Sequence, residues 1–457
     1  MKKLMIGAAS SGSGKTTFTL GLLQALKNRG LMVQPFKVGP DYVDTQYHSR
    51  ITECASRNLD SFLVRDPSVI NYLFNKEAVQ SDVALIEGVM GLFDGFGIDK
   101  DCCSSSSIAK QLDCPVLLVV NGKSASTSIA ATVKGFIDFD TDLNIVGVVI
   151  NNIASENHYS LVKGAIEKYT NTTVYGYIPK NADFSLPSRQ LGLVPNNEID
   201  NVLSIIQRIA SQIEKTVDID RLLSDLGEDN IEDVSCPLTH TKHYSQLTLA
   251  IAKDAAFHFY YPDNLELLES LGVKLIYFSP MSDSELPEAD MYYFGGGYPE
   301  EFASELSSNT TMRQSIYDAY KKNACILAEC GGLMYLGSTL KVEDAVFPMV
   351  GIFEGNSFMT PRLKRFGYCY GVLKESSLIG KKGDKIYGHE FHHSVFETLE
   401  PSMMIMEKKR DGDIISTWEG GYQKKQTFAS YLHLHFYQND RVVTHMLDYV
   451  MEVGGKV

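Results

Sequence analysis

Residues 4–17 read LMIGAASSGSGKTT, an apolar run that breaks into glycine and serine and then opens onto an amphipathic segment. The run Leu4–Ala8 predicts a strand. Thr16–Arg29, with Phe18, Leu22, Leu23 and Leu26 at helical spacing, predicts a helix. Between them Gly12, Ser13, Gly14, Lys15, Thr16 and Thr17 have the composition of a phosphate-binding loop. Glycines let backbone N–H groups approach phosphate oxygens, and the helix N-terminus adds positive potential. Lys15 can reach terminal phosphates, and Thr16 can offer a hydroxyl to Mg²⁺. The strict pattern wants glycine five residues before Gly14, where this chain has Ala9. Variants of the loop relocate that first turn.

Outward from the loop, further apolar runs at Met32–Phe36, Val83–Glu87, Val116–Val120, Ile145–Ile150 and Val174–Ile178 alternate with helical patterns. Unbroken apolar strands separated by helices predict a parallel sheet covered on both faces, so the class is α/β. Acids cluster where such strands end: Glu87 closes one run, Asp94 follows it, and Asp41 and Asp44 lie just past another. The C-terminal ends of parallel strands are where open α/β sheets bind ligands. Thr16, Asp41 and Glu87 are therefore candidates to hold a metal, and Tyr42, Asp44 and Asp94 to meet a substrate. Taken singly, Asp41 or Asp44 could instead form a turn or cap a helix. Asn151, at the end of another strand, is a candidate reader of a nucleotide base.

The chain has 457 residues, 44% hydrophobic and 21% charged, which predicts more than one domain. A net charge of −14 argues against nucleic acid as the main partner. No stretch approaches the ~18 apolar residues of a membrane span, and the N-terminal apolar run is too short for a secretory signal, so the expectation is a cytoplasmic protein. The eight cysteines form no Cys-x-x-Cys pair, which predicts no zinc or disulfide framework. Near residues 200–245 the pattern turns polar and acidic, after a helical start at Ile199, Val202, Ile205, Ile206 and Ile209. This suggests an N-terminal domain over 1–225, a linker over 226–247 and a second α/β domain over 248–457. In the last, strands are expected at Leu249–Lys253, Lys274–Phe278, Met291–Phe294 and Cys325–Ala328, and helices at Asn264–Leu271 and Met312–Lys322.

The second domain carries a different chemistry. Ala328-Glu329-Cys330-Gly331-Gly332 puts a cysteine on a tight strand-to-helix turn, where a helix N-terminus is expected to favour the thiolate. Gly295-Gly296-Gly297 ends another strand, so the N–H groups of Gly296 and Gly331 could form an oxyanion hole. Ser430-Tyr431-Leu432-His433-Leu434-His435 supplies a histidine from a distant part of the chain.

The Cys-Gly-Gly turn, the Gly-Gly-Gly-Tyr-Pro-Glu loop at 295–300 and the Ser-Tyr-Leu-His segment resemble the class I (triad-type) glutamine amidotransferases, in the branch serving cobalamin synthesis. The N-terminal half resembles the dethiobiotin-synthetase-like P-loop fold that this branch carries. The segments 37–44, 87–95, 252–257, 260–264 and 388–392 narrow the resemblance to members acting on cobyrinic acid. The resemblance implies that its a and c carboxylates become amides through acyl phosphates, using ATP with Mg²⁺ and ammonia from L-glutamine. It also implies that Cys330 is the nucleophile and that His433 manages the protons. Where many class I triads read His-x-Glu this chain has His433-Leu434-His435, so the expectation is a Cys330–His433 dyad without a carboxylate. Ser188-Arg189-Gln190 departs from the family's usual Glu-Arg-His, and Asp101-Cys102-Cys103-Ser104 from its usual Gly and Ser; no redox role is expected of those cysteines. Two alternatives stay open: the same chemistry on hydrogenobyrinate or nickel sirohydrochlorin, and a P-loop regulatory ATPase whose second domain only binds.

Overall fold

The computed structural model describes residues 1–184, 186, 196–230, 235–238 and 242–456. The segment Ser188–Gln190 therefore lies outside the described residues. The chain forms two compact units, Met1–Ser61 with Asp66–Pro237, and Phe62–Arg65 with Leu238–Val457.

The first unit is built on a parallel sheet of seven strands: β1 (Lys2–Ala8), β2 (Val33–Val38), β3 (Arg57–Leu59), β4 (Val83–Glu87), β5 (Val116–Asn121), β6 (Ile145–Ile153) and β7 (Val174–Pro179). Their order across the sheet is β3-β2-β4-β1-β5-β6-β7, and every neighbouring pair is parallel. The central strands are buried along most of their length, which is why they read as continuous apolar runs. β3 escapes such a reading. Arg57-Asn58-Leu59 has no apolar run and becomes a strand by pairing with β2, Phe36 opposite Arg57 and Val38 opposite Leu59. β2 also runs further than expected, so Lys37 lies inside it and is almost wholly buried.

Helix α1 (Lys15–Asn28) follows β1 and packs against the long helix Asn196–Thr216. The two approach so closely at Gly21 that a Cβ there would lie 2.4 Å from Ile209 Cγ2. The acidic region that follows is anchored at its start. Leu222 and Leu226 are buried, Lys2 Nζ donates to Leu226 O at 2.9 Å, and Asp229 N donates to Met1 O at 2.9 Å.

The second unit holds a mixed sheet of ten strands. Five are parallel, in the order Lys274–Phe278, Thr248–Ala252, Met291–Phe294, Cys325–Glu329 and Thr427–Ser430. The sheet continues antiparallel through Asp413–Lys424, Ser402–Arg410, Arg365–Leu373, Lys385–His392 and His433–Leu434. The helices Pro262–Ser270 and Thr310–Lys321 sit where periodicity places them, each shifted by about two residues at its start. Among the described residues no helix is long and apolar enough to cross a membrane.

Candidate functional site

The loop between β1 and α1 takes the shape its glycines permit. Gly12 has φ 78° and Gly14, which caps α1, has φ 95°, left-handed conformations that an L side chain rarely adopts. Asn151 at the end of β6 donates from Nδ2 to Ser13 O at 2.9 Å, and a Cβ on Gly14 would lie 1.9 Å from that nitrogen. Asn151 thus braces the loop through its backbone.

Glu87, the last residue of β4, is fully buried beneath the loop and collects four partners. Its Oε1 accepts from Thr16 Oγ1 at 2.6 Å and meets Lys15 Nζ and Lys37 Nζ, each at 3.0 Å. Its Oε2 meets His48 Nε2 at 2.8 Å, and the other imidazole nitrogen lies 3.3 Å from Ser56 Oγ. Burial alone would raise the Glu87 pKa, but Lys15, Lys37 and His48 hold it well below the ordinary carboxylate value. Lys37 also pairs with Asp44, and Asp41 lies 3.9 Å away. Burial pushes Asp44 up to about 6, against the pull of Lys37, with the Glu87 charge adding to the rise. Glu87 and Asp44 are thus shifted in opposite directions, Glu87 toward the carboxylate form. Lys15 is lowered by burial, with Glu87 opposing, and Lys37 is raised because Asp44 and Glu87 outweigh its burial.

Asp41 Oδ1 accepts the N–H groups of Val43 and Asp44 at 2.8 and 3.0 Å and so starts the helix α2 (Val43–Thr52). Tyr42 is buried beside it. Asp94 is exposed, and its Oδ2 accepts Gly91 N at 2.9 Å. It borders a cavity of about 470 Å³ lined by Ala9, Leu92, Phe93, Phe136 and Phe139.

In the second unit Cys330 joins the strand Cys325–Glu329 to the short helix Gly331–Leu336 with φ 48° and ψ −101°. Such a conformation costs a non-glycine residue roughly 1–3 kcal/mol and persists only where the surroundings enforce it. Here Cys330 N donates to Ser430 O at 2.7 Å in the neighbouring strand. Close approach dictates the glycines around it. A Cβ on Gly296 would lie 2.4 Å from His433 Cε1, and one on Gly331 would lie 2.9 Å from Pro299 Cδ and 3.3 Å from Gly297 N. Gly296, Gly331 and His433 thus gather in one locality around the Cys330 turn.

The expected thiolate does not follow from this geometry. Burial pushes the Cys330 thiol far up, the carboxylates of Glu300, Glu390 and Glu329 add to the rise, and only the Gly331 N–H opposes it. A carboxylate is also present where none was expected: Glu329 Oε2 lies 3.6 Å from His433 Nδ1, with both groups buried. The His433 ring stacks on His389 with centroids 4.8 Å apart, and His389 Nε2 lies 2.9 Å from Tyr261 Oη. Nearby, Lys364, Arg365, Glu390, His392, Trp418 and Tyr431 line a cavity of about 120 Å³.

Two family models divide the chain between them. A CobQ/CobB/MinD/ParA nucleotide binding domain matches residues 4–194, and a CobB/CobQ-like glutamine amidotransferase domain matches residues 248–441. The proteins named cobyrinate a,c-diamide synthase from Listeria monocytogenes serotype 4b (strain F2365) and Streptococcus sanguinis (strain SK36) are similar to this chain, at 55% and 53% identity. The alignments cover 98% of this chain and 99% of the former, and 99% and 100% for the latter. This chain belongs to the cobyrinate a,c-diamide synthase family. The protein of that name from Salmonella typhimurium is 47% identical, over 97% of each chain. Similarity across nearly the whole length sets aside the regulatory-ATPase reading.

Within this family's frame, Thr16, Lys15, Glu87 and Asp44 come together in the first unit, whereas Asp94 stands apart at the cavity. Lys37, His48 and Glu329 are among the residues of the two sites that carry no distinct sequence signal of their own. Lys37 was hidden inside a strand, His48 follows Asp44 by four residues and so shares its helix face, and Glu329 is the immediate neighbour of Cys330. His435 belongs to neither centre: its Nδ1 accepts Tyr437 N at 3.3 Å, its ring packs on Tyr261, and burial pulls its pKa down to about 3. Among the described residues no cysteine is in a disulfide, and the Cys102 and Cys103 sulfurs lie 3.9 Å apart.

Proposed function

We propose that this chain converts the a and c carboxylates of cobyrinic acid to amides, consuming one ATP and one glutamine for each. The observation that carries the synthetase half is the convergence of Lys15, Thr16 and Lys37 on Glu87 directly beneath the phosphate-binding loop. An arriving phosphate chain competes with Glu87 for both ammonium groups. Lys15 then stabilises charge on the transferring phosphoryl group, which passes to the substrate carboxylate and leaves an acyl phosphate. The Thr16 hydroxyl and the Glu87 carboxylate are hard oxygen donors within hydrogen-bond reach of each other, a set that fits Mg²⁺ and would hold it. When bound, that ion supplies charge neutralisation across the phosphates. Asp41 and Asp44 surround Lys37 and position the substrate carboxylate through it. Asp94, with the apolar cavity beside it, and Tyr42 take up parts of the macrocycle. Asn151 acts first as the brace of the loop and, from the same strand end, faces the base.

In the second unit glutamine enters the cavity beside Tyr431. Arg365 offers its guanidinium to the α-carboxylate and Glu390 its carboxylate to the α-ammonium. His433 accepts the thiol proton as Cys330 Sγ bonds to the carboxamide carbon, and returns it to nitrogen as ammonia leaves. The N–H groups of Gly296 and Gly331 hold the oxyanion. Water then hydrolyses the thioester to glutamate, and the ammonia displaces phosphate from the acyl phosphate.

Cobyrinate labelled with ¹⁸O in its carboxylates tests the activation step. Label recovered in inorganic phosphate is expected, and label recovered in AMP would overturn the acyl-phosphate route. Running nickel sirohydrochlorin and hydrogenobyrinate in parallel identifies the preferred macrocycle, with cobyrinate expected to give the highest kcat/KM.

A further inference from the structure

A carboxylate buried without a cation is costly, and proteins retain one only where something offsets the loss of solvation. Glu329 is such a group. It is 1% exposed, its Oε1 has no hydrogen-bond partner, and the basic side chain within ion-pair distance is His433. It ends the strand Cys325–Glu329, opposite Ser430 in the neighbouring strand, and the next residue in the chain is the nucleophile. The turn after Ser430 carries His433 back against the same strand end, so the backbone that places Cys330 also places this acid. Burial leaves the Glu329 pKa above the ordinary carboxylate value, with His433, Tyr293 and the Leu434 N–H opposing the rise.

Building on the reading of Cys330 and His433 as the glutaminase pair, we propose that Glu329 orients His433 through Nδ1, supplying the carboxylate that the His433-Leu434-His435 segment lacks. The geometry divides the imidazole. Nδ1 faces Glu329 at 3.6 Å, and the Cε1–Nε2 edge faces Gly296 of the glycine loop. With the tautomer fixed by the carboxylate, Nε2 is the nitrogen that exchanges a proton with the thiol and then with the departing ammonia. The 3.6 Å separation is longer than a hydrogen bond, and such contacts commonly tighten only when substrate closes the site. His389, stacked on the ring and lowered well below the usual histidine range by burial and by His433, limits ring tilt without adding a charge. Glu329 is thus a positioning residue, acting on the reaction through His433.

The full chain carrying Glu329→Gln keeps the shape and loses the charge. Glutaminase kcat is expected to fall ~10²-fold, within the range for general acid–base assistance. KM for glutamine is expected to change by no more than about threefold, since the group acts in the transition state rather than in binding. Glu329→Asp should recover part of the loss. Amidation supported by ammonium should persist, which reports that the chain is folded. In a His433→Ala background the second substitution should cost almost nothing more, because the two act as one unit. Unchanged kcat in Glu329→Gln, or losses that multiply in the double variant, would overturn the proposal. Glutaminase activity surviving Cys330→Ala would instead overturn the reading of the nucleophile on which the proposal rests.

Discussion

The two halves of this chain solve the same architectural problem with opposite charge. Each sets a glycine-rich turn at the C-terminal edge of parallel strands, and each buries a glutamate next to it, Glu87 in one and Glu329 in the other. Around Glu87 stand Lys15, Lys37 and His48, so the carboxylate stays ionised and the ammonium groups wait for a polyanion. Around Cys330 stand Glu300, Glu390 and Glu329, and burial together with these acids pushes the thiol pKa up. A site rich in paired cations suits phosphates. A site rich in acids suits a neutral carboxamide whose far end carries an ammonium. The scaffold permits either, and the charges beside the turn select the chemistry.

The sharpest way to break this contrast is to remove one key group from each half. Cys330→Ala should abolish glutamine-dependent amidation and leave amidation from high ammonium at alkaline pH. Lys15→Ala should abolish amidation from both nitrogen sources, a loss of at least ~10³-fold if the lysine carries a phosphoryl-transfer charge. Steady-state rates with each nitrogen source decide it. Loss of both activities in a folded Cys330→Ala variant would dissolve the division of labour.

A second comparison, within one segment, separates the histidines. His433→Ala should lower glutaminase kcat by ~10²–10⁴-fold. His435 is a neutral, buried cap for the turn that follows it, and His435→Ala should cost stability in thermal unfolding and less than about tenfold in rate. Equal rate losses would bring His435 into the catalytic unit.

The smallest effect concerns acid titration. Burial raises Glu300 from its ordinary value to about 7. With the folded pKa above the unfolded one, the native chain holds an extra proton between those values, so stability falls as pH rises from about 4.5 to about 7 and is flat beyond. Glu300→Gln removes that dependence. Thermal unfolding at several pH values should show the variant gaining on the parent at pH ~8 and losing that advantage near pH ~5.

Much of this was legible because the signals were local. Apolar runs gave β1, β4, β5 and β7 nearly to the residue, and the loop from Gly12 to Thr17 announced a phosphate site without any tertiary information. What remained hidden depended on pairing. Arg57–Leu59 became a strand only because β2 was beside it. The antiparallel half of the second sheet is built from strands whose alternation is broken by polar and exposed residues, such as Ser402–Arg410. The class I spacing puts a carboxylate two positions after His433, where this chain has His435. The carboxylate lies instead one residue before Cys330, reachable only through the register that puts Glu329 opposite Ser430. The upward shift of the thiol pKa was not legible for a similar reason, since Glu300 and Glu390 come from separate segments of the chain.

The brace between Asn151 and Ser13 has a consequence for binding. The two residues are 138 positions apart, so the loop acquires its form only when β1 and β6 have both joined the sheet. Its backbone is then ordered during folding, before a nucleotide arrives, and the conformational entropy of the loop is lost once in the life of the protein rather than at each turnover. On the proposed function, a side chain on the far side of β5 helps to set the affinity for ATP. Shortening Asn151 would be felt as a slower, looser capture of nucleotide, even though every group expected to touch phosphate remained in place.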